Sequence, residues 1–368
     1  MKICFYNVTA SFIQGGLETY CWEAGRALAR RGHQVSIVAG LGGEPRHQEL
    51  ELLRFAFRRE QEWPDLGTRF RRLMERLSFA RHSLTHLVNA GYDAVVVNKP
   101  FDFPILWQAR RKGLAAQTVY RSGGTEFYFG DRYFCGSIDH WLSTSRYNAA
   151  QVQSHYGREV QVVHNGVDVD QFKPLARDAQ LRQSLGLPDA ARVIASAGRL
   201  VGWKGLRVII ELLPLLPQDV HFLVIGEGPE ETGLRAQAQA LGVVSRVHFG
   251  GRVAHEQLPL LLAQADILVQ PSLGEESFGI TLVEAMACAL PVLASRQGGM
   301  TEIVLPGVTG ELLPPGDVVA WRDAIARLLQ QPDRTRAMGA AGRMRAVAEF
   351  TWAANAAKLE RLLQKGRK

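Results

Sequence analysis

Cysteine is scarce in this 368-residue chain, and Cys4, Cys21, Cys135 and Cys288 stand far apart. No CxxC pair and no Cys/His spacing suited to zinc occurs, which excludes a disulfide scaffold and a structural zinc site. Isolated thiols in apolar stretches fit reduced core residues. No stretch approaches the roughly 18 consecutive apolar residues of a membrane span. The opening MKICFYNVTASF has one lysine and a short apolar run, too short for a signal peptide; it reads as a strand, and a cytoplasmic chain is expected. Two nucleotide fingerprints are also missing. GGLET (15–19) and GEGPEE (226–231) stop short of GxGxxG, and in GRLVGWKG (198–205) Lys204 is followed by Gly205, where a P-loop has Ser or Thr. Basic residues are not interleaved with aromatics along a recognisable nucleic-acid-binding fold, so no nucleic-acid partner is expected.

What is present points to two domains. The length exceeds one ordinary core, and 46% of residues are hydrophobic. Lys and Arg outnumber Asp and Glu, 43 to 36, giving a net charge of +7 that suits anionic partners such as nucleotide phosphates or acidic lipid head groups. Apolar β-branched runs alternate with helical-period stretches. Strands are predicted at 2–8, 34–40, 93–98, 117–122 and 160–165, and again at 192–198, 221–226, 265–271 and 290–295. Continuous apolar strands separated by helices indicate parallel sheets covered on both faces, so the fold class is α/β with two doubly wound, Rossmann-like domains. Turn chemistry in HNGVDVDQFKPLARD (164–178) divides them into 1–166 and 167–349, with an amphipathic helix over 350–368 left to pack on either. Residues 54–82 break the alternation. They mix arginines with Phe55, Phe57, Trp63, Phe70, Leu73, Leu77 and Phe79, and read either as a surface helix with a core stripe or as a basic amphipathic patch for an acidic membrane.

Four stretches carry candidate chemistry. Gly15 and Gly16 follow the first strand and open a helix, where backbone N–H groups and the helix N-terminus favour an anion. Arg199 and Lys204 follow the strand that opens the second domain, at the edge where open α/β sheets bind ligands, and a planar fork beside a mobile point charge suits a diphosphate. Asp168-Val169-Asp170 has the form of a metal-holding Asp-x-Asp, but it lies in a turn after Asn165-Gly166 and is assigned to turn chemistry; no metal and no other cofactor is expected. GEESFGITLVEAMACALPVLAS (274–295) sets Glu276 in a loop and Glu284 inside an apolar helix. A buried carboxylate needs a partner, which protein groups or a vicinal diol could supply. Phe278, Gly279 and Ile280, at the helix start, offer amides to the anionic part of the same ligand, with Ser277 just before them as a further donor-binding residue.

E-x7-E as Glu276 and Glu284, followed by AMA and a Pro-Val strand, is similar to the retaining glycosyltransferases of family 4, which have the GT-B fold. GGLE after the first strand, STS at 143–145, HNGVDVDQF at 164–172, GRL and WKG at 198–205 and GEGP at 226–229 recur in the family's order, so the resemblance covers nearly the whole chain. It implies two domains facing each other across a cleft that binds a nucleotide sugar, UDP-linked first, with GDP and ADP as alternatives. Position by position it implies that Glu284 holds the ribose, Glu276 contacts the donor sugar, and Arg199 and Lys204 hold the diphosphate, joined by Gly15 and Gly16. Gly226 and Gly228 would lie near the base, and the last helix would cross back onto the N-terminal domain. The leaving phosphate would serve as base for a glycan or lipid-linked acceptor hydroxyl, as in lipopolysaccharide core or exopolysaccharide assembly at the inner face of an acidic inner membrane. Two departures stand out. Ala289 replaces a glycine common in relatives, and YRSGGTEFY (120–128) lacks a histidine that relatives carry near the donor sugar, leaving Arg121, Thr125 or Glu126 for that place. A sugar-nucleotide 2-epimerase of the same fold, or a non-catalytic nucleotide-sugar-binding module, are the alternative functions.

Overall fold

The computed structural model of the protein describes residues 1–13 and 15–366. The chain divides into two compact units, Met1–Gly166 with Trp352–Lys368, and Val167–Thr351.

The first unit is built on a seven-stranded parallel sheet. Its strands are β1 (Lys2–Tyr6), β2 (Gln34–Gly40), β3 (Glu51–Phe55), β4 (Ala94–Val97), β5 (Gln117–Ser122), β6 (His140–Ser143) and β7 (Gln161–Val162), in the order β3-β2-β1-β4-β5-β6-β7. Every residue of β4, AVVV, is buried, as expected for a central strand covered on both faces. The final helix, Trp352–Lys365, packs against the helix Gly16–Ala29. It buries Ala356, Leu359 and Leu363, and each fully buried leucine contributes roughly 1.5–3 kcal/mol. Polar contacts fix its register: His33 Nε2 meets Glu360 Oε1 at 3.1 Å, and Asn355 Nδ2 donates to the His164 carbonyl at 2.6 Å.

The second unit holds a six-stranded parallel sheet, with β8 (Arg192–Ala197), β9 (Val220–Ile225), β10 (Val247–Gly251), β11 (Ile267–Gln270), β12 (Val292–Ser295) and β13 (Gly310–Leu313) in the order β10-β9-β8-β11-β12-β13. β9, VHFLVI, is buried throughout.

Residues 54–82 do not form one amphipathic element. Their start belongs to β3, and a helix begins only at Thr68 and runs to Asn89. Phe79 is in the core, with Phe55 and Phe57 packed against it. The arginines are largely paired: Arg71 with Asp65 at 3.4 Å, Arg72 with Glu126 at 3.2 Å, and buried Arg76 with buried Asp102 at 3.0 Å. Of the two readings of this stretch, the basic amphipathic patch is therefore mostly consumed by core packing and ion pairs.

Candidate functional site

In the second sheet, β9 and β10 lie on one side of β8, and β11, β12 and β13 on the other. The chain reverses its winding between β8 and β11, and ligands of doubly wound sheets bind at the carboxyl ends of the two strands flanking that reversal. β8 leads into Gly198–Gly205, and β11 into Pro271–Gly279. The two loops interlock. Leu273 and Gly274 donate backbone N–H groups to the Trp203 carbonyl at 2.7 and 3.0 Å. At Gly205, which has φ +68°, a Cβ would stand 2.1 Å from the Pro271 carbonyl oxygen. Only glycine permits that approach.

This interlocking unites two distant parts of the sequence. Lys204 Nζ forms an ion pair with Glu276 Oε1. The same oxygen accepts from Gln270 Nε2 at 2.8 Å and Ser272 Oγ at 3.3 Å. Three donors thus converge on one oxygen, while Oε2 of Glu276 has no partner among the described residues. The lysine also lies 4.8 Å from the centre of the Trp203 ring. Arg199 and Lys204 line one small concavity with Ser196, Ala197, Leu200 and Ile225. Arg199 is exposed, with no side-chain partner among the described residues.

Gly226 and Gly228 brace this site from behind. A Cβ at Gly226 would lie 2.0 Å from the Gly198 carbonyl oxygen, and one at Gly228 would lie 2.3 Å from that of Leu200. Leu200 N donates to the Glu227 carbonyl at 2.9 Å. Close backbone packing explains both glycines.

Glu284 lies in the helix Ile280–Ala287, which Gly279 opens with φ +101°. It is buried among Leu282, Val283, Ala285, Met286 and Ala287. Its Oε1 meets His255 Nε2 at 2.6 Å. Sequence reasoning missed this histidine, although the need of a buried carboxylate for a partner was the signal that could have found it. Of the residues at the helix start, Phe278 turns its ring into the core toward Phe350, 6.0 Å between centroids. Ser277 and Ile280 are half-buried.

Gly15 and Gly16 belong to the first unit, at the start of the helix Gly16–Ala29. Glu18 occupies the space beside them: Thr9 Oγ1 donates to Glu18 Oε1 at 2.6 Å, and a Cβ on Gly15 would meet Glu18 Oε2 at 2.7 Å. Of the three residues considered for the missing histidine, Arg121 is buried, bound to Asn165 Oδ1, and stacked 3.9 Å from the Tyr20 ring. Burial lowers its guanidinium to about 10. It serves the core. Glu126 pairs with Lys99 at 2.9 Å and with Arg72, while Thr125 remains exposed. Asp168 Oδ1 accepts the backbone N–H groups of Asp170 and Gln171 at 3.0 and 3.2 Å, which is turn chemistry.

Two family models divide the chain between them. The one described as Glycosyltransferase Family 4 matches residues 14–171, and the one described as Glycosyl transferases group 1 matches residues 178–345. The chain belongs to glycosyltransferase family 4. Among curated relatives, a GDP-mannose-dependent alpha-(1-6)-phosphatidylinositol monomannoside mannosyltransferase of Mycolicibacterium smegmatis is 38% identical over 232 residues, 60% of each chain. A D-inositol 3-phosphate glycosyltransferase of Mycobacterium tuberculosis is 36% identical over 61% of this chain and 48% of its own. The match thus spans about half to three-fifths of these relatives' length. Solved structures align over nearly the whole chain: sucrose-phosphate synthase from Thermosynechococcus elongatus with TM-score 0.84 at 23% identity, covering 99% of this chain and 98% of that one, and Anabaena HepE, in complex with UDP and glucose, with TM-score 0.82 at 23% identity, covering 99% of each. At such identity these structures establish the fold of the family-4 chain, which is GT-B.

Proposed function

We propose that this chain is a retaining hexosyltransferase that moves a sugar from a nucleoside diphosphate donor to a glycan or lipid-linked acceptor without a metal. One observation carries this reading: Lys204 and Glu276 are joined across the two loops at the winding reversal, beside unpaired Arg199, and the helix that follows Glu276 carries Glu284. Cleaving the anomeric C–O bond places negative charge on the departing diphosphate. Arg199, Lys204 and the amides at the start of the helix Ile280–Ala287 are the groups available to take it, and a preorganised donor of this kind is worth roughly 2.7–4 kcal/mol. Glu276 Oε2 is free to accept a sugar hydroxyl, and Glu284 to accept the ribose. For retention the acceptor hydroxyl attacks from the side the phosphate leaves, and the phosphate takes its proton.

The sequence relatives named for GDP-mannose favour that donor ahead of UDP and ADP sugars, and their phosphatidylinositol acceptors favour a lipid-linked acceptor. Peripheral contact with an anionic membrane fits such an acceptor and the net charge of +7. Among the described residues, no helix is long and apolar enough to cross a membrane. The stretch 127–134 suits surface contact better than 54–82 does. Phe129 is fully exposed and Tyr133 is 74% exposed. Trp107, with Arg111 4.7 Å from its ring, lies 6.3 Å from Tyr133. Nearby acids are engaged, Asp131 by His155 and Tyr156 and Asp139 by Arg110, so exposed Arg132 and Lys112 leave the patch cationic.

The reading is tested with a thermal-shift panel of GDP, UDP and ADP sugars, followed by NMR of the product's anomeric proton with and without EDTA. Stabilisation by one donor, an unchanged anomeric configuration and insensitivity to EDTA are expected. An inverted product would exclude retention, and loss of activity in EDTA would exclude metal independence.

A further inference from the structure

We propose that His255 is a positioning residue that fixes Glu284 for recognition of the ribose diol. The proposal rests on the donor-site assignment above.

Glu284 is 4% exposed, and its immediate helical neighbours are apolar. A carboxylate in such a place is costly unless bonded. The described residues supply one donor, His255 Nε2, to Oε1, and none to Oε2. Because a carboxylate only accepts, Nε2 carries the hydrogen. The histidine comes from the turn His255–Gln257, shortly after β10, and its ring lies 5.0 Å from that of Phe172, which is wholly buried. The imidazole is thus supported by an aromatic ring of the core, while its own side chain is 30% exposed and reaches the surface of the site.

The consequence is geometric. With Oε1 held, the carboxylate plane is set and Oε2 is presented in one orientation to the two hydroxyls of a ribose. Glu276 has the same design, one oxygen saturated by protein donors and the other left for a ligand. His255 does not touch reacting atoms; it acts through Glu284.

Calorimetric titration of the intact protein with GDP and UDP, and with their 2′-deoxy and 3′-deoxy counterparts, tests this. The wild type is expected to favour a ribonucleotide by about tenfold per hydroxyl, the size of a charge-assisted hydrogen bond. His255→Leu is expected to lower ribonucleotide affinity about tenfold while leaving the deoxy forms nearly unchanged. His255→Gln, whose side-chain amide reaches the position of Nε2, should restore most of the discrimination, and the shorter His255→Asn should not. Glu284→Gln should abolish the discrimination, with His255→Leu adding nothing in that background. A folded His255→Leu protein that keeps the wild-type ratio would overturn the proposal, as would equal losses for ribo and deoxy ligands, the sign of a merely structural role. If the wild type binds no nucleoside diphosphate at all, the donor-site assignment fails with it; if it binds and discriminates but His255 is indifferent, only the role of His255 fails.

Discussion

Lys204 Nζ and Glu276 Oε1, separated by 72 residues in sequence, form an ion pair at the carboxyl ends of β8 and β11. Both side chains are mostly buried, and the pair neutralises a lysine whose expected partner is a diphosphate. Donor binding must therefore transfer Lys204 from one anion to another. Lys204→Ala is expected to cut kcat/KM by roughly 100-fold or more, the cost of one lost charge donor. Arg199→Lys should also fall, because a point charge cannot reproduce the planar fork. Steady-state kinetics with the preferred donor measures both, and wild-type values for Lys204→Ala would remove the diphosphate from this site.

Gly226 carries φ +133° and has the Gly198 carbonyl oxygen where a side chain would begin. Gly226→Ala is expected to destabilise the second unit by roughly 2 kcal/mol through strain and overlap. For a unit of this size that lowers Tm by about 4–8 °C. Calorimetry with and without nucleotide checks this; an unchanged Tm would mean the loops do not meet as described.

His221 Nδ1 lies 2.9 Å from His248 Nε2, and His248 Nδ1 lies 3.1 Å from the Leu185 carbonyl oxygen. The carbonyl accepts only, so Nδ1 of neutral His248 carries its hydrogen and Nε2 accepts from His221. Burial lowers the pKa of both, and for His221 the neighbouring His248 and Arg246 lower it further. The folded values lie below the unfolded ones, so the unfolded chain binds protons that the fold refuses. The pair's contribution is fully present above the ordinary histidine range, near 6.5, and is lost as pH falls through it toward the folded values. Tm is expected to fall between pH 7.5 and pH 5, and a His221→Gln, His248→Gln double variant should show a shallower fall over the same range. Parallel curves would show that other groups set the slope.

Phe129 is fully exposed, so its replacement touches little of the core. Phe129→Asp is expected to leave Tm unchanged and to weaken co-sedimentation with vesicles containing anionic lipid, while binding to neutral vesicles stays low throughout. Equal sedimentation of variant and wild type would move any membrane contact elsewhere.

Much of this architecture was legible in the sequence, and the parts that were not share a cause. Buried strands announced themselves through continuous apolar runs such as AVVV and VHFLVI. β3, β10 and β13 at sheet edges, and β6 beside one, did not, because ELLRF, VHFGG, GELL and HWLS interrupt the apolar pattern that two-sided burial demands. VQVVHN shrinks to the two residues of β7 for the same reason, lying at the edge of its sheet. At the site, the types and order of Arg199, Lys204, Glu276 and Glu284 were readable. Their partners were not, since the contacts of Glu276 with Lys204 and of Glu284 with His255 depend on which strand ends adjoin. Local pattern places Phe278 at the helix start but cannot show its ring turning into the core.

The most direct test offers mass-tagged nucleotide sugars, GDP-mannose first, to wild-type protein and to Lys204→Ala in the presence of membrane lipid extracts, with the products weighed by mass spectrometry. The expected result is one hexose-sized addition to a lipid-linked acceptor by the wild type, reduced about 100-fold or more in Lys204→Ala. No transfer and no donor hydrolysis from any nucleotide sugar by the folded wild type, or equal transfer by both proteins, would contradict it.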